Sequence, residues 1–324
     1  MKKEHLELRE KLLFKTPAKQ FEAAIEGYRK DFEQEYKKAF DNRKREMASI
    51  LTELTIDLQS YLTRWNLQKP GDDNALTTEQ IDKEADKNYK LLATLGYSDK
   101  VEKAKKEVAS IRKSNLVKMS QMADKGILNN RWGNDYASGL TASLRRGGIM
   151  VTTNPQLVNI ARKDNPEHWD KVRDELKAKY PDKSPEELAT LMTMEVVLEN
   201  CREMRPIYDI TNGELGYVSL QVNPKNYTDA EGMIKEAEFI YNEVAKALGG
   251  TPNMIFKVPA TKAALDAVRN LTKKGIGVNV TVNFAAAQEI AFAEAIEEGN
   301  AKVSVLTIMS GRLDDPIRDE LDKM

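Results

Sequence analysis

Lys257 lies inside an apolar, strand-like run, Met254-Ile255-Phe256-Lys257-Val258-Pro259-Ala260-Thr261, with no acidic neighbour in the run. An ammonium left unpaired in a core is expensive, so a buried lysine sheds its proton or finds a partner. A lysine with a depressed pKa is a nucleophile that can form a Schiff base with a carbonyl. The chain carries 50 Lys+Arg, and most such side chains are solvated or snorkel from the end of an element. Lys257 therefore gains weight only from the residues that accompany it.

Those residues are polar groups at the ends of other apolar runs. Thr152-Thr153-Asn154-Pro155, Gln221-Val222-Asn223-Pro224, Asn279 with Thr281 and Asn283, and Thr307 with Ser310 and Arg312 each close such a run. Asn279, Thr281 and Asn283 alternate, so a regular strand would put all three on one face. Polar side chains inside a strand are costly unless paired, and a shared hydrogen-bonded pocket would explain them. Taken singly, Asn154-Pro155 and Asn223-Pro224 also read as ordinary turn formers.

The elements that must position these groups fall in two textures. Residues 1–128 are dominated by Lys, Glu, Ala and Leu, with apolar residues at helical spacing, as in Leu51, Leu54, Ile56, Leu58, Tyr61, Leu62 and Trp65. Lys69-Pro70-Gly71-Asp72-Asp73-Asn74 is a breaker, Thr78 with Glu79, Gln80 and Asp82 reads as a helix start, and a second break falls near Gly96. This part reads as an all-helical N-terminal region without a metal or nucleotide motif. Residues 129–324 alternate instead. Apolar runs at 148–152, 216–220, 253–256, 276–280 and 303–307 are separated by helical stretches at 185–204, 229–248, 261–274 and 285–299. That pattern predicts a parallel sheet covered by helices, an α/β domain. In a (β/α) barrel the site is built at the C-terminal strand ends, where the polar groups above would lie.

The bulk composition excludes several partners. Net charge is −1, so no global field favours nucleic acid or an anionic membrane. The single cysteine, Cys201, excludes an internal disulfide and sits in a helical pattern as a small core residue. The start, Met1-Lys2-Lys3-Glu4-His5, lacks the apolar stretch of a signal peptide. These features lead us to expect a soluble, cytoplasmic protein.

Val151-Thr152-Thr153-Asn154-Pro155, Lys257-Val258-Pro259-Ala260-Thr261, Gly275-Ile276-Gly277-Val278-Asn279-Val280-Thr281 with Gln288, and Gly311-Arg312-Leu313-Asp314-Asp315 resemble, in that order, the transaldolase family. Gly216 to Pro224 is similar to the third-strand segment of its longer members, and Trp132-Gly133-Asn134-Asp135-Tyr136 to its first strand. The resemblance covers about residues 130 to 318. It implies a TIM-type barrel in which Lys257 forms a Schiff base with a ketose phosphate such as fructose 6-phosphate, and Asp135 is the general acid/base. A dihydroxyacetone unit then passes to an aldose phosphate such as erythrose 4-phosphate, in pentose phosphate carbohydrate metabolism. No metal or organic cofactor is required. Asn154 and Asn279 would hold substrate hydroxyls, Thr281 the catalytic water, Arg312 the phosphate, with Thr153 and Thr307 also in the substrate site.

Three departures stand beside the resemblance. Gln221 occupies the place of a glutamate that works with a water in many members, and glutamine cannot trade a proton. It resembles the related fructose-6-phosphate aldolases, which release the three-carbon unit, although Met309 stands where those carry a tyrosine. Thr307 replaces the family's serine. Lastly, the family continues with two further strands, and residues 129–324 fall just short of the smallest usual barrel of about 200 residues. An incomplete barrel exposes sheet edges. A fragment, a cover of N-terminal helices, or a partner chain as in a homo-oligomer would each account for this; the alternative functions are a fructose-6-phosphate-aldolase-like Schiff-base aldolase or a non-catalytic assembly module.

Overall fold

A computed structural model describes residues 2–62, 76–135, 137 and 139–324. The breaker at Lys69-Pro70-Gly71-Asp72-Asp73-Asn74, Trp65 of the helical pattern and Tyr136 of the first-strand motif lie outside the described residues. The chain forms two compact units, one of Met1–Gly133 with Thr141–Ile149 and one of Asn134–Leu140 with Met150–Met324.

The first unit is helical: α1 (Lys2–Arg9), α2 (Phe21–Lys38), α3 (Asp41–Gln59), α4 (Thr78–Thr94), α5 (Ser98–Lys113) and α6 (Asn115–Asp124). The short α7 (Leu140–Leu144) precedes the sheet in the chain. α3 buries Ile50, Leu51 and Thr52, and then each residue from Leu54 to Leu58. It packs against α1, α2, α4 and α5. A helix buried on all sides belongs inside a bundle. α4 starts at Thr78, the expected place, with Thr77 as N-cap in a capping box with Gln80. The break at Gly96 is a left-handed turn, φ +88°.

Charges buried in this bundle are matched. Asp57, fully buried on α3, accepts from His5 Nε2 at 2.7 Å and from Arg145 Nε at 2.7 Å. Arg145 reaches Glu53 and Glu107 as well, at 2.7 and 2.8 Å. Burial pushes the Asp57 carboxyl up, but Arg145 and His5 outweigh it and hold it below the usual range. A second set joins Glu84 to Arg29 at 2.5 Å, Arg29 to Asn88 at 3.1 Å and Asn88 to Thr55 at 3.1 Å.

The second unit alternates as its sequence pattern requires. β1 (Met150–Thr152) is followed by α8 (Pro155–Asp164), α9 (Pro166–Lys179) and α10 (Pro185–Ile210). Then come β2 (Tyr217–Gln221), α11 (Ala230–Leu248), β3 (Met254–Pro259), α12 (Lys262–Lys273), β4 (Val278–Asn283), α13 (Ala286–Glu297), β5 (Val305–Ile308) and α14 (Ser310–Leu321). The strands are parallel in the order β1-β2-β3-β4-β5. This is an α/β fold, a curled five-stranded sheet of an incomplete TIM-type barrel preceded in the chain by helices. The motif expected to form a first strand contributes one parallel bridge, Asn134 to Val151. Cys201 is buried in α10, where burial pushes its thiol up to about 12.

The two faces of the sheet differ in chemistry. Val151, Val218, Leu220, Phe256, Val258, Val278 and Val280 are buried on one, as expected where helices cover a parallel sheet. The other carries Thr152, Ser219, Gln221, Lys257, Asn279 and Thr281, with Thr152 in register with Ser219, Gln221 with Lys257 and Lys257 with Asn279. Gly277, at the entry to β4, is required by close approach: a Cβ there would run into Val303 O and Ile255 Cγ2. At the other end of β4, Val282 adopts φ +61° and the pairing with β5 shifts by one residue. Asn283 therefore registers with Ile308 and leaves the alternation that would have kept it beside Asn279 and Thr281.

Among the described residues, no helix is long and apolar enough to cross a membrane. In the first unit, Asp57→Ala should cost about 3–5 kcal/mol in denaturant unfolding, because Arg145 would stay buried without its main counter-charge. A loss of less than about 1 kcal/mol, the level of an exposed pair, would contradict this account.

Candidate active site

Lys257 projects from the middle of β3, half-buried in a strand whose neighbours Phe256 and Val258 are fully buried. Gln221 on β2 and Asn279 on β4 are its partners in register, so the three side chains leave the sheet on one face. Lys257 forms no salt bridge or hydrogen bond among the described residues. Burial pushes its ammonium below the ordinary lysine value, and the carboxylate of Asp135 pulls it partly back.

Asp135 is held by two kinds of contact. The backbone of Asn134 bridges β1, with Asn134 N donating to Met150 O and Thr152 N to Asn134 O, both at 2.8 Å. The Thr152 hydroxyl then donates to Asp135 Oδ1. Thr152 registers with Ser219, which puts the aspartate at the edge of the face that bears the lysine.

A chain of hydrogen bonds crosses this face. Thr307 Oγ1 on β5 donates to Asn279 Oδ1 at 2.6 Å, and Asn279 Nδ2 donates to Ser219 Oγ on β2 at 3.1 Å. Asn279 and Ser219 stand on strands separated by β3, so a direct bond between them requires a face curled toward its own interior. Thr281 is buried, and its hydroxyl donates to Met309 Sδ at 3.3 Å, a contact shared with Val282 N at 3.4 Å.

The structure thus brings together Lys257, Gln221, Asn279, Thr281, Thr307 and, through Thr152, Asp135. Three expected residues have other contacts, or none, among the described residues. Thr153 is fully buried and donates its hydroxyl to Ser219 O at 2.8 Å, which fastens β1 to β2. Asn154 caps α8, accepting from Leu157 N at 3.0 Å. Arg312 is exposed in the first turn of α14 and makes no side-chain hydrogen bond or ion pair among the described residues. Gln288 serves the backbone: its amide accepts from Phe284 and Ala285 and donates to Ala260 O. Ser219 is not singled out as a site residue by sequence reasoning, and Thr152 only as one of the strand-end polar groups. Ser219 had a signal, a small polar residue two positions before Gln221 in an otherwise apolar strand. Among the described residues, no cluster of three or more His, Cys, Asp or Glu is arranged to hold a metal ion. A cavity of about 370 Å³ lies elsewhere in this unit, lined by Lys183, Thr190, Asn223, Glu236 and Phe239 among others.

A family model described as Transaldolase/Fructose-6-phosphate aldolase matches residues 143–324, more than half of the chain. The chain belongs to this family. It is 32% identical over 163 residues to a transaldolase of Neisseria meningitidis serogroup A, covering 50% of this chain and 44% of that protein. A transaldolase of Thiobacillus denitrificans is 31% identical over 152 residues, 47% of this chain and 40% of its own length. Transaldolase 1 of Streptomyces avermitilis is 31% identical over 179 residues, 53% of this chain and 45% of its own. The chain spans about half the length of the curated relatives it matches. The family match takes in β1 to β5 and every residue on the Lys257 face except Asp135.

The opposition of burial and carboxylate at Lys257 gives a signed expectation. Asp135→Asn removes the charge that favours the ammonium, so the lysine should titrate at a lower pH than in the unaltered protein. The pH dependence of reductive methylation at Lys257, read by peptide mass spectrometry, measures this. A midpoint unchanged or moved upward would remove Asp135 from the lysine's electrostatic surroundings.

Proposed function

We propose that this chain carries out transaldolase-type transfer of a dihydroxyacetone unit between sugar phosphates through a Schiff base on Lys257. The observation that carries the proposal is an amine with no ion-pair partner among the described residues, its pKa lowered by burial, on the polar face of a parallel sheet. Membership of the family supports it. In this reading the neutral Lys257 amine attacks the C2 ketone of fructose 6-phosphate and, with loss of water, forms an iminium. Asp135 takes the C4 hydroxyl proton, the C3–C4 bond breaks, and its electron pair flows into the iminium to leave an enamine. The aldehyde product departs and the enamine carbon attacks the carbonyl of an acceptor such as erythrose 4-phosphate. The iminium is the electron sink, so the chemistry calls for no metal or organic cofactor.

The remaining groups take supporting parts. Asn279 and Thr307 meet substrate hydroxyls, and Thr281 holds the water that opens the imine. Arg312, exposed in the first turn of α14, offers a guanidinium and a helix N-terminus to a phosphate. Asn154 also faces a substrate hydroxyl in this reading, through the amide NH₂ that its capping bond leaves open. Thr153, whose hydroxyl is bonded to Ser219 O, holds the β1 strand end of the substrate site in this reading.

Gln221 favours a second reading. It registers directly with Lys257 and can orient a water without exchanging a proton with it. That suits an aldolase that releases the three-carbon unit.

Borohydride trapping with fructose 6-phosphate tests the shared step. A stable adduct on Lys257 is expected, absent in Lys257→Met, and Asp135→Asn should slow turnover about 10²- to 10⁴-fold. The trapping rate should rise with pH through the lowered lysine pKa and level off above it, because only the neutral amine attacks. No adduct by mass spectrometry would defeat the Schiff-base reading. Release of dihydroxyacetone at equal rates with and without erythrose 4-phosphate would decide for the aldolase.

A further inference from the structure

We propose that Ser219 is a positioning residue for this reaction, its hydroxyl clamping the Asn279 amide beside Lys257. The inference rests on the Schiff-base reading above and assigns a role to a residue that the sequence analysis did not single out as a site residue. An asparagine amide is poorly fixed by its own torsions, since the sp³–sp² rotation at χ2 is broad. Hydrogen bonds must set its plane. Asn279 has one at each end, Thr307 on its oxygen and Ser219 on its nitrogen. Ser219 is 0% and Asn279 1% exposed, so bulk water cannot take the place of either partner.

The geometry gives the clamp its relevance to the lysine. Ser219 registers with Ile255, two residues before Lys257 on β3, while Asn279 registers with Lys257 itself. The Asn279–Ser219 bond therefore crosses the inner face at the base of the lysine side chain, spanning from β4 to β2. An amide offers two N–H groups and two lone pairs. The clamp uses one of each, which leaves one N–H and one lone pair for a substrate hydroxyl next to the forming imine. Without the serine hydroxyl, Thr307 alone would hold the amide, and it could swing about χ2.

Ser219→Ala should lower the rate of borohydride-trapped adduct formation at saturating fructose 6-phosphate about 10- to 100-fold, the scale of a misplacement of about 1 Å. The pH midpoint of trapping should stay put, because the burial of Lys257 is unchanged. The double variant Ser219→Ala with Asn279→Ala should be no slower than Asn279→Ala alone, since the serine acts only through the amide. Thr272→Val removes a buried hydroxyl on α12, bonded to Val268 O at 2.8 Å, and should leave the rate unchanged as a control for generic destabilisation. Trapping in Ser219→Ala at the unaltered rate, or losses that multiply in the double variant, would overturn the role of Ser219 alone. Absence of any adduct in the unaltered protein would remove the Schiff-base reading and this role with it.

Discussion

An ammonium group held on a sheet face without an ion-pair partner among the described residues is the constraint around which the second unit is organised. Lys257 sits between two fully buried residues of β3, and its flanking strands present Gln221 and Asn279, which are polar and uncharged. A carboxylate in either place would add an anion beside the lysine and favour its charged form. Neutral amides do the opposite: they tolerate a charged or a neutral amine and stabilise neither strongly. Burial then decides the balance and lowers the pKa, with Asp135 placed near enough to moderate the shift without forming an ion pair.

The rest of the sheet makes that arrangement possible by keeping its two faces chemically separate. Apolar residues on the helix-covered face supply the burial that stabilises the unit, so the polar face can be given to groups that do not stabilise it. The departures from regularity gather at the end of β4. Val282, a β-branched residue, takes a left-handed backbone that such residues rarely adopt. The extra residue turns Asn283 out of phase, and its amide is fully buried with neither polar atom hydrogen-bonded among the described residues. Strain and unmet hydrogen bonds of this kind are tolerated where the surrounding structure imposes them, and here they adjoin Thr281 and the Met309 thioether.

Much of this was legible in the sequence, for reasons that particular residues make plain. The five apolar runs became β1 to β5 because near-continuous hydrophobicity over a few residues between helical stretches fits a covered parallel strand. The grouping of Gln221, Lys257 and Asn279 follows from polar residues recurring in those runs, although Lys257 lies mid-strand and Asn279 is the second residue of β4 rather than at a strand end. What stayed hidden depends on geometry that spacing does not carry. Alternation put Asn283 with Asn279, and a single left-handed residue undid it. Thr153 and Asn154 have the residue types of a binding site, and the sequence does not announce that a backbone carbonyl takes the hydroxyl of one and a helix N-terminus the side-chain oxygen of the other. Ser219 is joined to Asn279 by the curvature of the sheet, and no distance along the chain between them announces it.

The two units treat buried charge in contrasting ways, and the contrast bears on function. Asp57, with Arg145 and His5, is a charge taken out of water and offset by close partners, as is Glu84 with Arg29. Such matched networks hold helices in one arrangement and leave no reactive group over. Lys257 is only half-buried, but among the described residues it is given no such partner. If its position were merely structural, a methionine would fill the same space and spare the desolvation of an ammonium. Retaining a lysine at a place that disfavours its charged form makes sense where the neutral amine is the useful species. Its surroundings agree, because Ser219, Asn279 and Thr307 bond to one another and, among the described residues, none bonds to the amine.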